Sequence, residues 1–295
     1  KQALNGAKLD VVWNMTLAAN IISANVQYGQ IEKIKEVAGV QEVILENRYE
    51  PCVVKQEETA DPNMATSDKM IGSSAAWAAG YTGAGSRIAI IDTGADVDHP
   101  SLDPDALKYA LQGSNATIMT EADLTDEVLN QLNAYTRKAG LTAADFYVNE
   151  KIPFGFNYVD ADTDITHDND TQGDHGSHVT GIAAGNRFVK DEAGNYVAAL
   201  DSVMTQGVAP DAQILTMKVF GKGGGAYDSD YMVAIEDAMV LGADAANLSL
   251  GGSFPGYSEY TEEKYRHILD EIVGSGMVVT ISAGNSGSWF DQTAF

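Results

Sequence analysis

The 295-residue sequence contains a single cysteine, Cys52. One thiol excludes an internal disulfide framework, a cysteine-based zinc site and a dithiol redox pair. Cys52 keeps the ordinary reading of a small apolar side chain. This does not fix a compartment, since larger domains are stable without disulfides. Basic residues are scarce too: 18 Lys and Arg face 42 Asp and Glu, a formal net charge of −24. Nucleic acids and anionic membrane surfaces both reward Lys and Arg, so the chain is suited to neither. Excess charge of one sign favours solubility instead. No run approaches the roughly 18 apolar residues of a membrane span. The opening KQALNGAKLDVVW has neither an initiator Met nor a signal-peptide core, which points to a start inside a longer precursor. What remains is an ordinary globular composition, 44% hydrophobic and 20% charged, long enough for one large domain or two smaller ones.

Residues 1–56 read as a small unit of their own. LDVVWNMTL, IISANVQ and VQEVILENRY are strand-like, and QIEKIKEVAG carries Ile31, Ile34 and Val37 at helical spacing before Gly39. This is half of an α/β sandwich. Residues 57–70 are polar and without periodicity, the character of an exposed linker that proteases cut. From Ile71 to Phe295 the pattern changes: apolar strands (RIAIID, AQILTMKVF, AANLSLGG, MVVTISAGN) alternate with amphipathic helices. SSAAWAAG predicts a short helix, and EADLTDEVLNQLNAYTRKAG a longer one with Leu124, Val128, Leu132 and Tyr135 on one face. DSDYMVAIEDAMVLG has the stripe Tyr231, Ile235, Ala238, Met239, and TEEKYRHILDEIVGSG the stripe Tyr265, Ile268, Leu269, Ile272, Val273. Alternation of this kind predicts an α/β fold with a parallel sheet and helices on both faces. Ligands of such sheets bind beyond the carboxyl ends of the strands, where Asp92 and Asn285 both fall.

Asp92 ends an apolar strand, a costly place for a carboxylate unless it is paired. GDHGSHVTGIAAGN offers the partner, because small residues let a helix pack closely and hold His175 rigidly at its start. A carboxylate that accepts the Nδ1 proton of a histidine orients the ring and stabilises the imidazolium formed when it acts as a base. Other readings of the histidines stay open. His175 and His178 can cap a helix, or can ligate a metal with help from the acidic run DADTDITHDNDTQGD, although the Glu of a His-Glu-x-x-His site is absent. The acidic run is equally a solvated loop. In SAGNSG, Asn285 can donate to a developing oxyanion or simply occupy a left-handed turn. GKGGGAY and SLGG leave backbone groups open, and such edges can bind an extended peptide by strand addition.

Taken together, IAIIDTG, HGSHVTG, GVAPDAQILTMKVF, NLSLGG and SAGNSG occur in the order seen in subtilisin-like serine proteases, over about residues 71–287. The resemblance implies that Asp92 is the catalytic acid, His175 the general base and Asn285 the oxyanion-hole side chain. It implies that Gly223, Gly224, Gly225 and Ser249, Leu250, Gly251 belong to the two peptide-binding strands, with Ala283 and Gly284 beside the pocket for the residue before the scissile bond. Residues 1–56 resemble the second half of an inhibitory propeptide, and the insertion between Asp92 and His175 resembles the large cell-envelope proteinases of Gram-positive bacteria.

The departures from the pattern set further expectations. The Gly-Thr-Ser-Met-Ala-like turn that carries the family's nucleophile has no counterpart here, and Ser73, Ser253 and Ser288 lack its context. The resemblance therefore places the nucleophile beyond Phe295 and predicts that this stretch alone is inactive. Ser101 stands where the family's calcium ligand is an Asp, so no cofactor is assigned and no calcium or other metal site is carried over. The expected partners are a protein or peptide substrate and the chain's own propeptide, with a processing cut between Glu57 and Ser67 and a secreted or cell-surface location. The competing readings are a peptide-binding pseudoprotease and a metal-dependent hydrolase built on His175 and His178.

Overall fold

The computed structural model describes residues 9–51, 64–203, 206–251, 268 and 270–282. The N-terminal part holds β1 (Asp10–Met15), β2 (Ile21–Asn25), α1 (Ile31–Lys35) and β3 (Arg48–Pro51). Then come α2 (Met64–Ile71), α3 (Ser73–Ala78), β4 (Arg87–Asp92) and α4 (Pro104–Ala110). The insertion carries α5 (Asp126–Leu129), α6 (Asn133–Arg137) and α7 (Ala143–Phe146), followed by β5 (Phe154–Asn157) and α8 (His175–Ala184). β6 (Phe188–Lys190), β7 (Tyr196–Ala198) and α9 (Ala199–Ser202) lead to β8 (Gln213–Lys218) and β9 (Ala226–Tyr227). α10 (Asp228–Val240), β10 (Ala245–Leu248), β11 (Leu250–Gly251) and β12 (Val278–Ile281) complete the described elements.

The central sheet has the order β12-β10-β4-β8-β5, and every neighbouring pair in it is parallel. Strand alternation distributes its side chains to two cores. Ala89, Ile91, Leu215 and Met217 join the cluster that contains α10, whereas Ile90 and Ile214 join the one that contains Ala184 of α8. Helices therefore cover both faces, as the alternating pattern predicts. β5 was not foreseen, although all four of its residues are buried. FGFN is short, and two of its four residues, Gly155 and Asn157, are not apolar. Gly155 is there because Ile165 packs where a side chain would go.

The structure corrects several local expectations. The long helix expected over residues 121–140 is broken into a 3-10 turn, α5 and α6. Thr120 and Asp123 form a capping box, Thr125 caps α5 by accepting from Val128 N, and Leu132 is extended. Each polar side chain offers the backbone a local alternative to a continuous helix. Leu124 and Leu132 are still buried, and Val128 and Tyr135 pack against them. α10 is not an amphipathic stripe, because every residue from Asp228 to Ala238 is buried. The strand expected over residues 40–49 is confined to β3, and part of the expected linker, Met64–Ile71, is helical. Val273 is 76% exposed rather than on the buried face with Ile268 and Ile272; Tyr265 and Leu269 lie outside the described residues.

The insertion is part of the main core. Phe146 stacks on Phe154 of the sheet at 5.3 Å and 7°, and Leu132 and Phe146 are both fully buried in the cluster that holds β4, β8 and α10. Leu132→Ala is therefore expected to cost about 2–5 kcal/mol within a single cooperative unfolding transition of the complete protein. Denaturant titration checks this; a cost near zero, or a separate early transition, would mean that the insertion folds apart from the sheet.

Candidate active site

Asp92 closes β4 at the carboxyl edge of the sheet and is fully buried. Its Oδ1 accepts the Thr93 N–H at 2.7 Å and lies 2.8 Å from His175 Nδ1. His175 is the first residue of α8, and its side chain is 14% exposed. The ring therefore sits with one nitrogen on a buried carboxylate while part of it meets solvent. In the neutral imidazole, an Nδ1 that donates to this carboxylate makes Nε2 the acceptor nitrogen of the ring. Asp92 Oδ2 is buried with no hydrogen-bond partner among the described residues.

Three contacts hold this pair in place. Thr93 Oγ1 accepts the Gly176 N–H at 2.8 Å, tying the end of β4 to the first turn of α8. Residue 176 must be glycine, since a Cβ there would run into the Gly94 carbonyl. Gly94 in turn has φ of 107°, a conformation open to glycine. Beneath them the Lys218 ammonium, 2% exposed, donates to the Thr93 carbonyl and to Asp170 Oδ2. Lys218 lies directly opposite Asp92 in the β4–β8 register. This buried ion pair draws one carboxylate of the acidic run under the site, so that run is not simply a solvated loop.

His178 is exposed on α8 while His175 faces Asp92, so the two do not form a pair. Among the described residues no group of three or more His, Cys, Asp or Glu side chains could hold a metal ion. The metal-hydrolase arrangement of His175 and His178 therefore has no geometric counterpart there. Ser101 donates its N–H to His99 Nδ1 in the turn after the Asp92 motif. Asn285, Ala283 and Gly284 lie outside the described residues.

The peptide-binding edges predicted from GKGGGAY and SLGG are occupied by the chain itself. β3 lies between β9 and β11 and is antiparallel to both. Arg48 and Tyr49 pair with Tyr227 and Ala226, while Glu50 and Pro51 pair with Gly251 and Leu250. The pairing on the β9 side begins at Ala226, so Gly223, Gly224 and Gly225 are the turn before the strand rather than the strand. Gly224 and Gly225 have positive φ; the Arg48 side chain stands where a Cβ of Gly225 would be, and the Gln172 side chain lies nearest that place at Gly224. On the other side Leu250 and Gly251 pair with β3, and Ser249 Oγ accepts from Asn247 Nδ2 at 2.9 Å.

The carboxylates of α10 fix the rest of the N-terminal segment. Glu236 Oε1 accepts the N–H groups of Leu17, Ala18 and Ala19 at 2.9, 2.7 and 3.2 Å. Its Oε2 accepts from Asn133 Nδ2 of the insertion at 3.0 Å. Asp230 Oδ1 accepts the Trp13 indole N–H at 3.0 Å, and Arg137 lies over the Trp13 ring at 5.6 Å. Burial raises the Asp230 pKa to about 6 and that of Asp237 to about 7, in Asp237 against donors from Asn133, Ala134 and Tyr158. Sequence reasoning missed Asp228, Asp230 and Glu236. Carboxylates in the first turn of a helix normally complement its dipole, and nothing local indicates that they accept hydrogen bonds from residues about 180–220 positions away.

Comparison with known proteins identifies the family. The model of the subtilase family matches residues 83–294. The PI-type proteinase of Lactococcus lactis subsp. cremoris is 32% identical over 276 residues, which is 91% of this chain and 12% of that protein. The minor extracellular protease Vpr of Bacillus subtilis is 30% identical over 249 residues, 82% of this chain and 23% of that protein. The C5a peptidase of Streptococcus pyogenes serotype M6 is 29% identical over 213 residues, 72% of this chain and 16% of that protein. The chain thus spans about one-eighth of the length of the lactococcal relatives it matches. With a parallel sheet, an aspartate at the end of its strand β4 and a histidine at the start of α8, the chain belongs to the subtilase family of serine peptidases.

Proposed function

We propose that the complete protein is a serine endopeptidase made as a zymogen, secreted or held at a Gram-positive cell surface. Asp92 and His175 are two members of its triad, and a serine beyond Phe295 is the third. The observation that carries this reading is the 2.8 Å contact between His175 Nδ1 and buried Asp92 Oδ1 at the carboxyl edge of the sheet. In the proposed reaction His175 Nε2 removes the serine proton, and the alkoxide attacks the peptide carbonyl. Asp92 holds the ring and stabilises the imidazolium, which then protonates the leaving amine. Asn285 and a backbone N–H stabilise the oxyanion. Thr93 and the Lys218–Asp170 pair act as positioning groups, since they set where Asp92 and α8 meet.

Residues 1–56 act in this scheme as an inhibitory prosegment. β3 fills the groove between β9 and β11 with main-chain hydrogen bonds of the kind a substrate would make. The groove stays closed to other peptides until the linker is cut, for which residues 57–67 are the proposed window.

A fluorophosphonate, which labels activated serines, tests the core of the reading. One adduct on the complete, processed protein, mapped beyond Phe295, is expected; a folded, processed protein that takes no label would be a peptide-binding relative. His175→Ala should lower kcat by on the order of 10⁶ and Asn285→Ala by about 10²–10³, the magnitudes known for subtilisin itself. An unchanged kcat in either variant would remove that residue from the mechanism.

Stability of the chain with its N-terminal segment docked should depend on pH through Asp230. Burial raises its pKa to about 6, while the Trp13 and Tyr227 N–H groups lower it, Glu46 raises it and Arg137 lowers it. A pKa raised on folding means that the folded state binds the proton more tightly than the unfolded chain. Its contribution is therefore complete below about pH 4 and is lost as pH rises through about 6. Denaturant titration from pH 4 to 8 should show stability falling over this window, and Asp230→Asn should flatten that slope. An identical slope in the variant would assign the dependence to another group.

A further inference from the structure

We infer that Asp228 gives the peptide groove a pocket selective for a tyrosine side chain. The inference rests on the reading of β3 as a substrate-like strand. Of the side chains in β3, Arg48 and Glu50 are exposed, Pro51 is half-buried and Tyr49 is buried, at 8%. Tyr49 is thus the one β3 side chain that the groove encloses, while the main-chain pairing is indifferent to sequence.

The pocket around Tyr49 is specific in shape and in polarity. Tyr49 pairs through its backbone with Ala226, which has no side chain large enough to block the space below. Its ring meets Tyr231 edge-on, with centroids 5.4 Å apart and planes at 87°. Its phenol donates to Asp228 Oδ1 at 2.8 Å, and the Tyr231 phenol donates to the same oxygen at 3.0 Å. Asp228 Oδ2 accepts the Asn47 N–H at 2.6 Å, a contact that any residue except proline at position 47 can make. Asp228 is 7% exposed. A peptide with phenylalanine at the Tyr49 position would keep the aromatic contact but remove one donor from a buried carboxylate. Removal of a donor to a buried charged acceptor is costly, and sites built around a hydroxyl reject the analogue that lacks it. A leucine would lose both the edge-on contact and the donor. Substrates that enter the groove should therefore carry tyrosine at the place that Tyr49 now holds.

The test uses the complete protein after removal of residues 1–56. Peptides with the sequence of residues 44–67, which include the proposed cleavage window, with Tyr, Phe, Leu or Arg at position 49, are measured both for cleavage and for competition against a labelled peptide of the Tyr sequence. The Tyr peptide is expected to bind, and to be cut in kcat/KM, about 10- to 100-fold better than the Phe peptide. Asp228→Leu should bring the two to within about twofold. Asp228→Asn, which keeps the size of the side chain and serves if the Leu variant does not fold, should shrink the ratio severalfold. Tyr231→Phe should leave the ratio at least as large, since the Tyr49 phenol then has Oδ1 with less competition. Equal binding of Tyr and Phe peptides to the unaltered protein, or a ratio that survives Asp228→Leu, would overturn the pocket. An Arg peptide that equals the Tyr peptide would also overturn it, in favour of a general cation pocket. If the Tyr preference appears in binding but no peptide is cut, the peptidase reading fails and the pocket stands. If peptides are cut without the preference, the reverse holds.

Discussion

A carboxylate buried at the end of an apolar strand must be partnered, and the arrangement of the site follows from how Asp92 meets that demand. Its Oδ1 is shared between its neighbour's N–H and the imidazole of His175. The imidazole reaches it only because α8 starts close to the end of β4. That closeness needs glycine at 94 and at 176, and it needs Thr93 to hold the first turn of the helix. Thr93 is in turn held from below by the Lys218 ammonium, which brings Asp170 with it. One buried charge thus organises two strands, a helix and a loop. A buried ion pair such as Lys218–Asp170 adds little net stability by itself. Its value here is directional, because losing either partner would leave the other charge buried beside the site.

The same chemistry recurs on α10 with a different purpose. The chain carries an excess of acid, yet Asp228, Asp230, Glu236 and Asp237 are all buried. They are tolerable because each accepts hydrogen bonds from another part of the chain. Glu236 divides its oxygens between the N-terminal segment and the insertion. Asp228 serves the residues around β3, Asp230 serves Trp13, and Asp237 serves the insertion. A helix of this kind would be poorly satisfied alone. It is complete only with the insertion packed on one side and the N-terminal segment on the other.

This explains which parts of the fold could be read from the sequence. β4, β8, α10 and α8 announce themselves through local pattern, and Asp92 and His175 stand at element ends where a polar residue interrupts an apolar or small-residue run. The parallel sheet follows from that alternation. What escaped is set by contacts distant in the chain. β5 is too short and too interrupted to register, and its identity as a strand comes from pairing with β8, some sixty residues later. The insertion keeps a helical period in its apolar residues, but Thr120 and Thr125 cap separate turns and Leu132 is extended, so the period survives while the helix does not. The carboxylates of α10 look like ordinary first-turn acids and a solvent face, because the groups that bury them lie up to 219 residues away.

The insertion and the N-terminal segment therefore share an acceptor on α10 besides meeting directly, as where Arg137 lies over the Trp13 ring. Asn133 orients Glu236 from one side, and three consecutive backbone N–H groups close on it from the other. If the N-terminal segment leaves, Glu236 keeps its insertion partner and stays aimed, while its second oxygen exchanges three backbone donors for water. Asp230 likewise loses the Trp13 indole and keeps the Tyr227 N–H at 3.0 Å. Neither carboxylate is stranded, so departure of the segment costs the rest of the chain contact area but leaves neither of these two charges buried and unpaired. An insertion that pre-orients the acceptors makes docking selective, because donors must arrive at positions already set. In the proposed zymogen, where this segment is a temporary occupant of the groove, it also makes undocking tolerable.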